Sequence, residues 1–217
     1  LIAVGLDLGQ AADPTAIAAL DINNERVEND SYGHPQFDTL YDVRHLQRFE
    51  LNMPYPEMIR RVVKMTETPQ LKDKYRLIPD ATGVGRPVVD ALREAKLKIT
   101  PVTITFGGHE NFNMDTGCWD VPKRIIVSNL QMLLGNGRLR FANGLLEKDA
   151  VVKELMNFKI KVTKAGNDTY EAWREGDHDD LVLSIGIAAW WAKRFGNEKR
   201  IDPANMWKSP LMGMKGI

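Results

Sequence analysis

Runs of apolar residues, and the spacing of polar ones between them, divide this chain into strands and helices. The opening LIAVGLDLG is aliphatic throughout and closes on glycine, which predicts a buried strand. After the turn GQAADP, the stretch TAIAALDI predicts a second strand, and the two predict a hairpin. RHLQRFEL alternates more weakly and is the third predicted strand. YPEMIRRVVKMTE then carries Met58, Ile59, Val62 and Val63 at helical spacing. YRLIPDAT predicts a strand and GRPVVDALREA a helix, with Gly83 and Gly85 in the tight passage between them. ITPVTITF predicts another strand, and the Gly/Asn-rich GGHENFNMDTGCW a loop. VPKRIIVSNLQMLLGNG predicts a helix with Pro122 in its first turn and a stop at Gly135 and Gly137. RLRFA predicts a short strand, EKDAVVKELMNF a helix, and KIKVTKAG with DTYEAW a polar hairpin. The last helix, HDDLVLSIGIAAWWAKRF, runs from near His178 to near Gly196. The expected organisation is one domain over residues 1–200 and a loosely packed tail over 201–217. A strand meander followed by alternating helices and strands predicts an α/β fold, a mixed sheet with helices on both faces.

Composition narrows the function. Lys+Arg and Asp+Glu both number 29, so the formal net charge is zero, which argues against strong attraction of the whole protein to nucleic acid. Local basic clusters remain, among them Lys96/Lys98, Lys123/Arg124, Arg138/Arg140 and Lys193/Arg194, each readable as a solvated face or a binding surface. The single cysteine, Cys118, rules out an intrachain disulfide and suits a reducing cytoplasm. The longest apolar run, LVLSIGIAAWWA, is too short to span a bilayer, so no membrane association is expected.

The informative residues are acids placed where acids are expensive. Asp7 ends the first apolar run, Asp80 ends YRLIPD, and His178-Asp179-Asp180 opens the most apolar helix. Three or four carboxylates brought to one edge of a core are the donor set of hard divalent cations. Each acid also has a plain structural reading. Asp7 would cap the turn at Gly9, Asp80 would hold Thr82 or cap a helix, and Asp179 and Asp180 would complement the positive end of theirs. On the first strand Ala3, Gly5 and Asp7 share one side, and the two small residues leave room beside Asp7 for another carboxylate and a metal. Asp180 is expected to coordinate directly, with Asp179 as second ligand or outer shell. His178 reads as a cap or outer-shell group, since Mg²⁺ prefers oxygen. Asp13, in the ADPT turn, is a supporting candidate. Trp190 and Trp191 read as core, and Trp119 as either a core residue or a stacking platform.

With those residues in place, the order of elements resembles the ribonuclease H-like fold, in which two parallel strands and a late helix bring three acids together. Four stretches, GLDLGQAADPTAIAAL, IPDATGVGRPVVDAL, WDVPKRIIVSNLQMLLGNGRLRF and YEAWREGDHDDLVLSIGIAAWW, resemble the nuclease domain of phage large terminase subunits. The combination of DxTGxG with a distant HDDLV is the specific part. The resemblance implies a metal-dependent endonuclease that cuts double-stranded viral DNA during genome packaging in the host cytoplasm. It implies catalytic and metal-binding roles for Asp7, Asp80 and Asp180, with Asp179 a further ligand, and two Mg²⁺ or Mn²⁺ ions as cofactors. Its implied partners are an ATPase domain, a small terminase subunit and a portal. Lys123 and Arg124 are the expected phosphate contacts, with a salt bridge to an acid such as Asp120 the rival reading of Lys123. No GxxxxGK[ST] occurs, so either the chain is an isolated C-terminal domain without the motor or the resemblance is to a different nuclease; the opening on Leu1 rather than Met favours the first expectation.

Two other classes fit parts of the pattern. Sugar kinases and actin-like ATPases also open with a strand, an acid and glycines, although they need a second such domain. A non-catalytic DNA-binding or assembly module would use the acids only as caps.

Overall fold

The computed structural model describes residues 1–9, 13–29, 35–83, 86–157 and 179–196. Strand β1 (Ile2–Asp7) sits inside a five-stranded sheet of order β4-β1-β2-β3-β8. Its neighbours are β2 (Ala16–Asn29), antiparallel, and β4 (Tyr75–Pro79), parallel. The sheet continues through β3 (Pro35–Arg48), antiparallel to β2, to the short edge strand β8 (Leu139–Phe141), parallel to β3. The predicted β1–β2 hairpin is present. Both β2 and β3 are 14 residues long and extend well past the apolar stretches that predicted them. Their polar outer halves pair with one another, so backbone pairing carries them where side-chain pattern gives no signal.

A second sheet, order β5-β7-β6, holds β5 (Val102–Thr105), β6 (Asn111–Asn113) and β7 (Cys118–Pro122). The bridges Leu77↔Ile99 and Asp80↔Val102 dock it beside β4. This corrects the loop expected over GGHENFNMDTGCW, which contains a hairpin. The strands are too short to alternate visibly, and Asn113 ties the turn by accepting the N–H groups of Asp115 and Thr116. Gly117, at φ 67°, supplies the left-handed step.

Alternation along β1 sorts the two faces. Val4 and Leu6 pack with Ile17, Leu77, Met58 and Val62 under α1 (Tyr55–Thr66) and α2 (Arg86–Glu94). Ala3 joins Ala16, Ala18, Leu20 and Ile78 on the other face, against α3 (Lys123–Gly135) and α5 (Asp180–Phe195), with α4 (Lys148–Asn157) behind. The two-faced covering expected from the pattern is therefore present. Helix α5 is buried on every side from Asp180 to Ala192, which explains its unbroken apolarity. It lies so close to β1 that a Cβ on Gly5 would stand 1.8 Å from the carbonyl oxygen of Ser184. The space that Gly5 leaves is filled by helix backbone, and that contact sets where the head of α5 falls.

A β-bulge changes which side of β3 faces α5. The register pairs Leu20 with Val43 and Ala19 with His45, leaving Arg44 without an opposite residue. Tyr41 and Val43 face the α5 core before the bulge, and Leu46 faces it afterwards. Arg48, two residues on from Leu46, is thereby carried to the same face.

Candidate metal centre

Asp7 ends β1 and Asp80 directly follows its parallel neighbour β4, on the face that α5 covers. The Asp80 N–H donates to the Leu6 carbonyl at 2.8 Å, so the two acids stand beside each other at the carboxyl edge of the sheet. Ligands of α/β sheets gather at that edge. Asp180 begins α5 and Asp179 immediately precedes it. Asp80 and Asp180 are only 7% and 4% exposed.

Electrostatics shows that the four acids share one neighbourhood. Burial pushes the Asp7 carboxyl well above the ordinary range, and the charges of Asp80, Asp179 and Asp180 push it further, against the pull of Lys123. Asp80 is pushed up to about 6, chiefly by burial. Its Oδ1 accepts the Thr82 N–H at 2.8 Å, so the turn-stabilising reading of Asp80 holds together with its place among the acids. Burial also raises Asp179, while Lys123 opposes the rise.

Two of the four carboxylates rest on cations. Lys123 Nζ lies 3.3 Å from Asp179 Oδ2. Arg48 Nε donates to Asp180 Oδ2 at 2.6 Å, and Arg48 Nη2 pairs with Glu154 on α4. Glu154 is buried, and burial lifts it to about 7. Its Oε2 accepts the Val182 N–H in the first turn of α5 at 3.0 Å. Among the described residues no three His, Cys, Asp or Glu side chains already stand in metal-holding geometry. The donor set nevertheless fits a hard divalent cation: it is all carboxylate, and after burial its mutual repulsion raises Asp7 further.

The remaining expectations divide. Lys123, the first residue of α3, is only 15% exposed at its side chain, and its salt bridge is to Asp179 rather than Asp120. Arg124 is exposed and donates to the Gly108 carbonyl. It opens a groove of about 820 Å³ with His109, Ser128, Trp190 and Lys193 in its walls. Asp13 is exposed on the β1–β2 turn, where its carbonyl fills the place a Cβ on Gly9 would need, and the Gly9 N–H is held by Thr15 Oγ1 at 3.1 Å. Trp119 packs edge-on to Trp190 and Phe195 with Arg194 over its ring at 4.5 Å, so it seals the second sheet against α5. Trp190 and Trp191 are core, as expected. His178, the expected polar hairpin and the tail over 201–217 lie outside the described residues.

Arg48 and Glu154 were not legible as site residues. Arg48 looked like one more polar position of a weak strand, and only the bulge turns it inward. Glu154 did leave a trace, since it sits three residues from the buried Val151, an acid on the apolar stripe of its helix.

Fold and site together define a ribonuclease H-like α/β domain with an acidic centre at the carboxyl edge of its sheet. Among solved structures it is similar to the large terminase nuclease of the thermophilic phage G20c with bound magnesium. The TM-score is 0.57 and the identity 20%, over 88% of this chain and 80% of that one. The large terminase nuclease domain of bacteriophage SPP1 with bound Mn gives a TM-score of 0.51 at 13% identity, over 89% and 85%. The fold is thus that of the large terminase nucleases. In sequence, the large terminase subunits of Thermus phage G20c and Thermus virus P23-45 are each 26% identical over 112 residues, 52% of this chain. That match spans 19% of the length of those relatives. No protein-family model matches the chain.

Proposed function

We propose that this chain is the nuclease part of a phage large terminase subunit, a metal-dependent endonuclease that cuts double-stranded viral DNA during packaging. The observation that carries the reading is the Asp7 carboxyl, buried and repelled by Asp80, Asp179 and Asp180 together. A core that gathers four acids needs divalent cations to be useful. Asp7, Asp80 and Asp180 are the proposed ligands, with Asp179 beside them. Two Mg²⁺ or Mn²⁺ ions bound there would supply Lewis acidity and a water of lowered pKa for phosphodiester hydrolysis.

The chain's own residues have definable tasks. Asp7, which the charges of Asp80, Asp179 and Asp180 all reach, would be held at the centre of the donor set, with Asp80 and Asp180 as its fellow ligands. Lys123 limits the negative charge of the cluster through Asp179. Arg124, one residue further along α3 and exposed, is the better placed of the two expected phosphate contacts. Backbone-directed contacts of this kind hold DNA without reading its sequence. An ATPase domain, a small terminase subunit and a portal are the proposed partners.

The experiment is incubation of supercoiled plasmid with the purified chain. Nicking and linearisation with Mn²⁺ or Mg²⁺, stopped by EDTA and lost in Asp7→Asn, Asp80→Asn and Asp180→Asn, are expected. Wild-type behaviour in all three variants would make the acids structural caps, and magnesium-dependent ATP turnover would move the chain to the kinase class.

A further inference from the structure

The head of α5 is gripped by a ring of contacts that runs through three separate elements. Arg48, the last residue of β3, sends Nε to Asp180 Oδ2 and Nη2 to Glu154 Oε1. Glu154 sends its other oxygen, Oε2, to the N–H of Val182. Asp180 and Val182 lie on the same helical turn, so the ring closes. The acids are inside the protein, with side chains 5% and 7% exposed, and the guanidinium is 23% exposed. The Val182 N–H is one of the first-turn donors that a helix cannot satisfy internally. Glu154 therefore fixes the helix start while Arg48 fixes the carboxylate attached to it.

The chemistry of the fork matters. A guanidinium presents its donors in one rigid plane, so holding Glu154 with one nitrogen sets the direction from which another meets Asp180. A lysine ammonium has the charge but no such plane. A pairing needed only for charge would not require a third element, nor a buried acid whose second oxygen is committed to the helix backbone.

We propose that Arg48 and Glu154 are positioning residues for Asp180, setting the orientation in which its carboxylate meets a divalent cation. This rests on the nuclease reading, in which Asp180 is a ligand. Groups that orient a metal ligand from behind change metal affinity about 10- to 100-fold when removed. The opposite sign belongs to a plain counterion: deleting a positive charge next to a ligand favours a cation and tightens its binding.

The test is Mn²⁺ binding to the full chain, by calorimetry and by electron paramagnetic resonance, with circular dichroism as the check on folding. Arg48→Met is expected to weaken Mn²⁺ about tenfold or more, and Arg48→Lys to recover only part of the loss. Glu154→Gln offers one acceptor oxygen where the ring needs two, and is expected to weaken Mn²⁺ as well. Equal or tighter binding in Arg48→Met overturns the proposal. If that variant does not fold, unchanged affinity in both Arg48→Lys and Glu154→Gln overturns it. Wild-type protein that binds no Mn²⁺ sinks the nuclease reading and the positioning role together. Wild-type protein that binds and cleaves, beside variants that bind equally well, removes the positioning role alone.

Discussion

Gly5 meets Ser184 backbone to backbone. A Cβ at residue 5 would stand 1.8 Å from the Ser184 carbonyl oxygen and 2.9 Å from its carbon. The clash is with main chain of a helix buried on all sides, which has nowhere to move. Because α5 begins at Asp180, this contact also fixes how near that acid comes to Asp7.

Gly5→Ala is accordingly expected to destabilise by more than about 3 kcal/mol, the upper range for overpacking a core, or to prevent folding. Gly135→Ala is the control, since a Cβ there meets nothing within 4 Å. It is expected to be neutral or slightly stabilising. Thermal melts of the two variants check the contrast, and a Gly5→Ala protein as stable as wild type would remove the close approach.

Neutralising Asp7 removes an acid repelled by three others and disfavoured by burial. Asp7→Asn should raise the melting temperature in EDTA while abolishing cleavage. Asp180→Asn should lower it instead, because it weakens the contact with Arg48 and leaves Glu154 as that guanidinium's acidic partner in the ring. Opposite shifts in the two variants are the expected readout; shifts of the same sign would contradict the separate roles given to these acids.

Stability should fall as pH rises from about 4 towards neutrality. Burial holds Asp80 at about 6 and Glu154 at about 7, both above ordinary carboxylate values. The folded protein thus holds these protons more tightly than the unfolded chain. Their contribution is complete below about pH 4 and is lost as pH climbs through about 6 to 7, at up to about 1.4 kcal/mol per pH unit for each proton. Asp42 acts in the opposite direction: Arg140 hydrogen bonds hold it below the usual range, so its contribution is lost in acid. Urea melts in EDTA between about pH 4.5 and 8 should show the decline, and Asp80→Asn with Glu154→Gln should make it shallower, the remainder belonging to Asp7 and Asp179, whose carboxyls are also raised.

Arg124 and Lys123 should separate by salt dependence. An exposed arginine on a phosphate contributes close to one counterion to DNA binding, so Arg124→Ala should reduce the slope of log K against log salt by about 0.9. Lys123, committed to Asp179, should leave that slope unchanged. Anisotropy titrations with duplex DNA in Ca²⁺ measure both. The net charge of zero predicts weak binding overall.

Local pattern carried most of the frame. Aliphatic runs at β1 and β4, helical spacing at Met58 and Val62, and an apolar α5 headed by acids are signals that survive without neighbours, because burial demands them residue by residue. The positions of Asp7, Asp80 and Asp180 stood out for the same reason: each places a carboxylate at one end of an apolar run, where burial makes an acid costly. Tertiary structure decided the rest. The outer halves of β2 and β3 exist through pairing with each other, and the hairpin before α3 through a turn and a glycine. One unpaired residue at Arg44 swings Arg48 from one face of the sheet to the other. A single insertion reverses side-chain parity with a period of two, and no reading of β3 alone reveals on which strand the extra residue falls. The acids stood out in the sequence, but the guanidinium that meets Asp180 came from the register of a sheet.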